Sequence, residues 1–104
     1  MKTSDWKIEN CDVGPGWHPL VNLLIERCKS SNTTITQVKE KWGGLRFYVG
    51  PHEDFLEGMI VLAENISYTI CEQCGNPGST EGSKSWIKTL CKDCRKQDDN
   101  NRIS

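Results

Sequence analysis

No apolar run in this 104-residue sequence approaches the ~20 residues that a membrane-spanning helix requires. The opening residues, Met1-Lys2-Thr3-Ser4-Asp5-Trp6-Lys7, lack the apolar segment of a secretory signal. The expectation is therefore a cytoplasmic chain with no membrane association. In a reducing compartment, thiols serve metals more often than disulfides. A dominant charge sign is missing too. The formal net charge is -1, so no global field draws the chain to nucleic acid or lipid. Internal repeats and low-complexity segments are absent. There is no Ser-His-Asp order, no phosphate-binding glycine loop and no matched carboxylate pair. An enzyme is not the expected reading.

What is present fits one α+β domain over residues 1–104. Hydrophobic residues make up 36% of the chain, enough for a modest core that a cross-link or metal would help to stabilise. Residues 1–16 read as an irregular lead-in that closes on the turn-forming Asp12-Val13-Gly14-Pro15-Gly16. Trp17, Leu20, Val21, Leu24, Ile25 and Cys28 then recur as one helical face, with Pro19 in the first turn. Ser30-Ser31-Asn32 ends that helix.

The β-branched stretch 33–41 and the alternating Leu45, Phe47 and Val49 read as a β-hairpin turning at Gly43-Gly44. Ile35 and Val38 do not share a period of two, so the first strand carries a bulge or is covered on both faces. A second helix follows Gly50-Pro51. Its N-terminus resembles a capping box from Asp54 to Glu57. Its apolar stripe reads as Phe55, Met59, Leu62, Ala63, Ile66 and Ile70, widened by Ile60. The core therefore spans 17–70 as helix, hairpin and helix. Residues 75–85 read as loop, Ser85–Leu90 as a short strand, Cys94–Asp99 as one or two helical turns, and 97–104 as a frayed tail.

The strongest chemical signal occupies residues 71–96. Cys71-Glu72-Gln73-Cys74 and Cys91-Lys92-Asp93-Cys94 are two C-x2-C pairs separated by sixteen residues, the spacing of a zinc site. Two residues between cysteines form a tight turn that aims both thiolates at one ion, and two such turns complete a tetrahedron. Gly75 suits the left-handed position that closes the first turn. The expected cofactor is one structural Zn2+ held by Cys71, Cys74, Cys91 and Cys94. The segment resembles treble-clef zinc fingers, in which a knuckle, a hairpin and a helix start supply the ligands. Cys28 reads as a buried free thiol, and Cys11 as buried or merely exposed.

Two further groups invite a functional reading. Trp42 sits beside two glycines at the hairpin tip, with Arg46 and Tyr48 on the face opposite Leu45 and Phe47. Either these form an aromatic and cationic recognition surface, or Trp42 folds back over the sheet edge. Trp86, with Lys84 and Lys88, either anchors the zinc module against the second helix or joins a basic aromatic patch. His18 and His52 stand at element boundaries without a carboxylate partner identifiable from the sequence.

Gly16-Trp17, Gln37 through Val49 with its Trp-Gly-Gly-Leu-Arg-Phe-Tyr string, Ala63-Glu64, Cys71-Glu72-Gln73-Cys74-Gly75 and Trp86 through Cys91 occur in an order that resembles a family of small uncharacterised proteins of bacteria and their phages. The resemblance implies a microbial or phage accessory protein. The function expected is a zinc-stabilised protein-interaction module using Trp42, Arg46, Tyr48, Lys84, Trp86 and Lys88. Alternatives are a nucleic-acid-binding zinc finger using the basic 84–96 segment, or capture of a small anionic ligand near Arg46.

Overall fold

The computed structural model describes residues 2–83 and 86–103, the last three as helical backbone only. Helix α1 spans His18–Ser30, with Pro19 in its first turn. It buries Val21, Leu24, Ile25 and Cys28 behind the fully enclosed Trp17, as its periodicity predicts. Asn32 leaves the helix at φ 59°, in the left-handed region that Asn tolerates.

Strands β1 (Ile35–Lys41) and β2 (Gly44–Val49) form the expected antiparallel hairpin. The turn residues are Trp42 and Gly43 rather than Gly43-Gly44, because Gly44 already pairs with Lys41. Both turn residues have positive φ, 56° and 83°, the conformation whose twist suits a two-residue hairpin. The register slips between Ile35 and Gln37. That bulge lets Ile35 and Val38 both enter the core despite their odd spacing.

Neither edge of this hairpin is bare. Asp12 bridges to Lys39 along the free edge of β1, its N–H donating to the Val38 carbonyl and its own carbonyl accepting from Glu40. Along β2, the Leu45 and Phe47 N–H groups donate to Ser67 Oγ and Glu64 Oε2, both at 2.9 Å. Those acceptors come from helix α2 (Asp54–Ser67), which packs on β2 and α1.

The buried stripe of α2 corrects the sequence reading. Leu56, Ile60, Ala63 and Ser67 face inward, whereas Phe55 and Leu62 are exposed. The helix is apolar around most of its circumference, so two stripes compete. The true stripe ends in a serine that hydropathy discounts but that the sheet edge requires as an acceptor. The capping box is also absent. Glu53 is the N-cap with no side-chain bond, and Glu57 turns to His52 instead.

The lead-in is more structured than expected. Single 3-10 turns at Thr3–Asp5, Ile8–Asn10 and Pro15–Trp17 carry Trp6 into the core. Ile8, Cys11 and Val13 pack against its edge.

Residues 75–85 are not a loop throughout. Strand β3 (Ser79–Ser83) pairs with β4 (Trp86–Leu90), and β3 is exposed along its whole length, so no apolar period betrayed it. Helix α3 (Lys92–Ile103) runs well beyond one or two turns. Among the described residues, no helix is long and apolar enough to cross a membrane. The architecture is α+β: a helix, a hairpin and a helix around one core, then a turn with the first cysteine pair, a second hairpin and a helix that begins at the second pair.

Candidate metal centre

Cys71 and Cys74 lie on a turn that follows α2. Cys91 lies between β4 and α3, and Cys94 is in the first turn of α3. The four sulfurs come within 4.8 Å of one another. A tetrahedron of metal–sulfur bonds near 2.3 Å places sulfurs about 3.8 Å apart, and Cys74 Sγ lies 3.6 Å from Cys91 Sγ. The cluster is thus capable of ligating one metal ion. No other group of three or more His, Cys, Asp or Glu ligand atoms converges in this way among the described residues.

The local backbone supports negative sulfur. Gly75 closes the first turn at φ 85°, its N–H donating to the Cys71 carbonyl. The Cys94 N–H donates to Cys91 Sγ at 3.4 Å. Burial resists ionisation of Cys71, but the N–H groups of Cys91, Cys74 and Gln73 outweigh it and lower the pKa to about 6. Cys94 moves the opposite way, pushed up chiefly by its hydrogen bond to Cys91 and by desolvation. Crowded thiolates cannot all ionise against their mutual repulsion unless a cation joins them. The donor set therefore fits a metal.

Two pads of the core hold this module. The first is Gly14-Pro15-Gly16-Trp17. The Gly14 and Gly16 N–H groups donate to Glu72 Oε2 at 2.8 Å and to the Glu72 carbonyl at 2.6 Å. Trp17 Nε1 donates to the Ile70 carbonyl at 2.9 Å. A Cβ on Gly16 would drive into the Cys71 carbonyl and the Gly75 nitrogen, so the knuckle can seat only on glycine. The second pad is the tip of the first hairpin, where Thr89 Oγ1 donates to the Gly43 carbonyl.

The sequence-derived partner residues separate into two places. Trp42, Arg46 and Tyr48 belong to the first hairpin. Trp42 is 52% exposed and Tyr48 is 42% exposed. Trp86 is 39% exposed and does not serve as the module's buried anchor. Its Nε1 donates to Asp98 Oδ2 at 2.9 Å, and Lys88 Nζ sits 5.3 Å from its ring. Lys84 lies outside the described residues.

Tyr68 was not singled out from the sequence. Its hydroxyl accepts from Arg46 Nη1 at 3.1 Å, and its ring fills the space above Gly44. The sequence carries one signal for it: Tyr68 falls off the apolar stripe of the second helix, as a side chain meeting a different neighbour would. His52 also has a partner, with Nε2 2.6 Å from Glu57 Oε1. Cys28 is buried as expected, and burial pushes its pKa up to about 11. Cys11 is half-buried and accepts from Trp6 Nε1 at 3.4 Å.

Compared with protein-family models, curated proteins and solved structures, the chain matches none.

Proposed function

We propose that the protein is a zinc-stabilised protein-interaction module. Four cysteine sulfurs in tetrahedral reach are a donor set that zinc favours. With every position taken by sulfur, none is left for water or substrate, so the metal's role is structural rather than catalytic. The order of knuckle, hairpin and helix start supports a treble-clef arrangement. The bacterial or phage cytoplasm implied by the sequence resemblance is the setting of this proposal.

One observation carries the interaction role. Leu23 on α1 and Phe55 and Leu62 on α2 remain 66%, 64% and 60% exposed. Phe55, Met59 and Leu62 recur at i, i+4 and i+7, so they form one strip along α2. Arg27 lies 4.7 Å above the Phe55 ring, which brings the exposed side of α1 against the same strip. Its guanidinium also pairs with Glu53. Grouped apolar side chains with a charged rim are the composition of a protein-binding surface.

Two measurements test the proposal. Elemental analysis of natively purified protein should return one zinc per chain, and a metal-free product would overturn the zinc assignment. Affinity capture from bacterial lysate, comparing wild type with Phe55→Glu and Leu62→Glu, tests the surface. Partners that wild type retains and both variants lose support it. Equal recovery by all three, or no specific partner at all, overturns it.

A further inference from the structure

The outer face of the first hairpin has a composition of its own. Lys39 pairs across the strands with Arg46, and Gln37 with Tyr48, while Lys41 follows two residues beyond Lys39. Alternation therefore gathers three cations and a tyrosine on one face, with Val38, Leu45 and Phe47 buried on the other. Tyr68 joins the set by lying over Gly44 and holding Arg46 through its hydroxyl. Both tyrosines of the chain thus border one guanidinium.

Opposing charge is sparse on this face. Glu40 and Glu64 bond to the backbone N–H groups of Gly43 and Phe47, Glu64 also acting on the nearby Arg46 guanidinium, and Asp12 stands on the strand edge beside Lys39. At the far end Trp42 holds φ 56°, in a turn position that favours Gly, Asn or Asp. A large ring kept exposed at such a position signals a use for the ring.

We propose that this face binds single-stranded nucleic acid, with bases stacking on Tyr48 and Trp42 and phosphates meeting Lys39, Lys41 and Arg46. Flat rings alternating with cations suit a strand whose bases are open to stacking. A duplex offers phosphates but no free base faces. An acidic polypeptide would use the cations but not the rings. It also could not add as a strand, because Asp12 and α2 already occupy both hairpin edges. This inference goes beyond the protein-interaction role and uses a different surface. It also moves nucleic-acid binding away from the 84–96 segment, where Arg95 already donates to the Ser79 and Lys88 carbonyls.

The test titrates zinc-loaded protein into labelled oligothymidylate, oligouridylate, a duplex and an acidic Glu-rich peptide, read by anisotropy and tryptophan emission. Single strands should bind and quench tryptophan emission. The logarithm of affinity should fall with that of salt at a slope of about -2, three contacts at about 0.7 each. Tyr48→Ala and Trp42→Asn should each weaken single-strand binding about ten-fold, the loss of one stacked base. Lys41→Gln should flatten the salt slope. Zinc content and thermal midpoint check that each variant is folded, and Trp42→Asn suits the turn better than tryptophan does. The proposal is overturned if no single strand binds at low salt, if the folded variants bind as wild type does, or if the duplex or acidic peptide binds as tightly.

Discussion

The Thr89 hydroxyl donates to the Gly43 carbonyl at 2.6 Å, a buried bond between residues 46 positions apart. It ties the strand that delivers Cys91 to the turn that presents Trp42. Thr80 Oγ1 lies 2.6 Å from the same hydroxyl, so three chain segments meet there. Thr89→Val keeps the shape but leaves the Gly43 carbonyl without its donor. The cost should be about 1–3 kcal/mol, with a thermal midpoint lower by about 4–8 °C per kcal/mol. Thr89→Ser should lie close to wild type. Equal stability of the Val and Ser variants would show that the bond adds nothing.

Two glycine-to-alanine changes should have opposite signs. Gly16→Ala pushes a methyl group into the Cys71 carbonyl and the Gly75 nitrogen. Backbone cannot give way as a flexible side chain can, so about 1–3 kcal/mol of overpacking is expected, together with faster loss of a bound metal to a chelator. Gly58 lies within α2 with nothing inside 4 Å of its added Cβ. Gly58→Ala should therefore stabilise by about 0.5–1 kcal/mol through helix propensity. Chemical denaturation of the two variants beside wild type decides both signs.

The elements with a single strong period were legible in the sequence. The buried face of α1 follows from Trp17, Val21, Leu24, Ile25 and Cys28, and the alternation of Leu45 and Phe47 marks β2. The cysteine spacing anticipated which four sulfurs would converge. What escaped depended on contacts between distant segments. The inward face of α2 could not be chosen from hydropathy, because Ser67 earns its place only by receiving the Leu45 N–H. Strand β3 is entirely exposed and carries no apolar period; its partner β4 defines it. The seat of the knuckle on Gly16 and the pairing of Arg46 with Tyr68 likewise exist only after folding.

His52 should titrate above its ordinary value of 6.5. The Gly50 carbonyl contributes most to the rise, and the Glu57 carboxylate adds to it. Both ring nitrogens face acceptors, an arrangement that favours the doubly protonated ring. A raised folded-state value means that the interaction supports folding fully below pH 6.5 and fades as pH climbs through the raised value. NMR titration of the His52 ring should place its midpoint above that of free histidine, and Glu57→Gln should bring it down. An unchanged midpoint in Glu57→Gln would remove the carboxylate from the explanation.

Removing the metal should divide the molecule rather than unfold it. The core around α1, the first hairpin and α2 encloses Trp17, Leu24, Ile25, Leu45 and Leu56, and none of the four clustered cysteines belongs to it. The second hairpin has no such support, since β3 is exposed and only Thr89 and Leu90 of β4 are buried. Structural zinc supplies about 10 kcal/mol or more of apparent binding energy in small metal-folded peptides, and here most of that should be spent on residues 71–96. Hydrogen exchange with and without a chelator reads the division directly. On chelation, the Glu72 N–H that donates to the Thr89 carbonyl should lose its protection. The Leu45 and Phe47 amides, which donate to Ser67 Oγ and Glu64 Oε2 of α2, should keep most of theirs. Uniform loss across both sets would mean that the metal organises the whole core, and no loss in either would mean that the cysteine turns hold together without it.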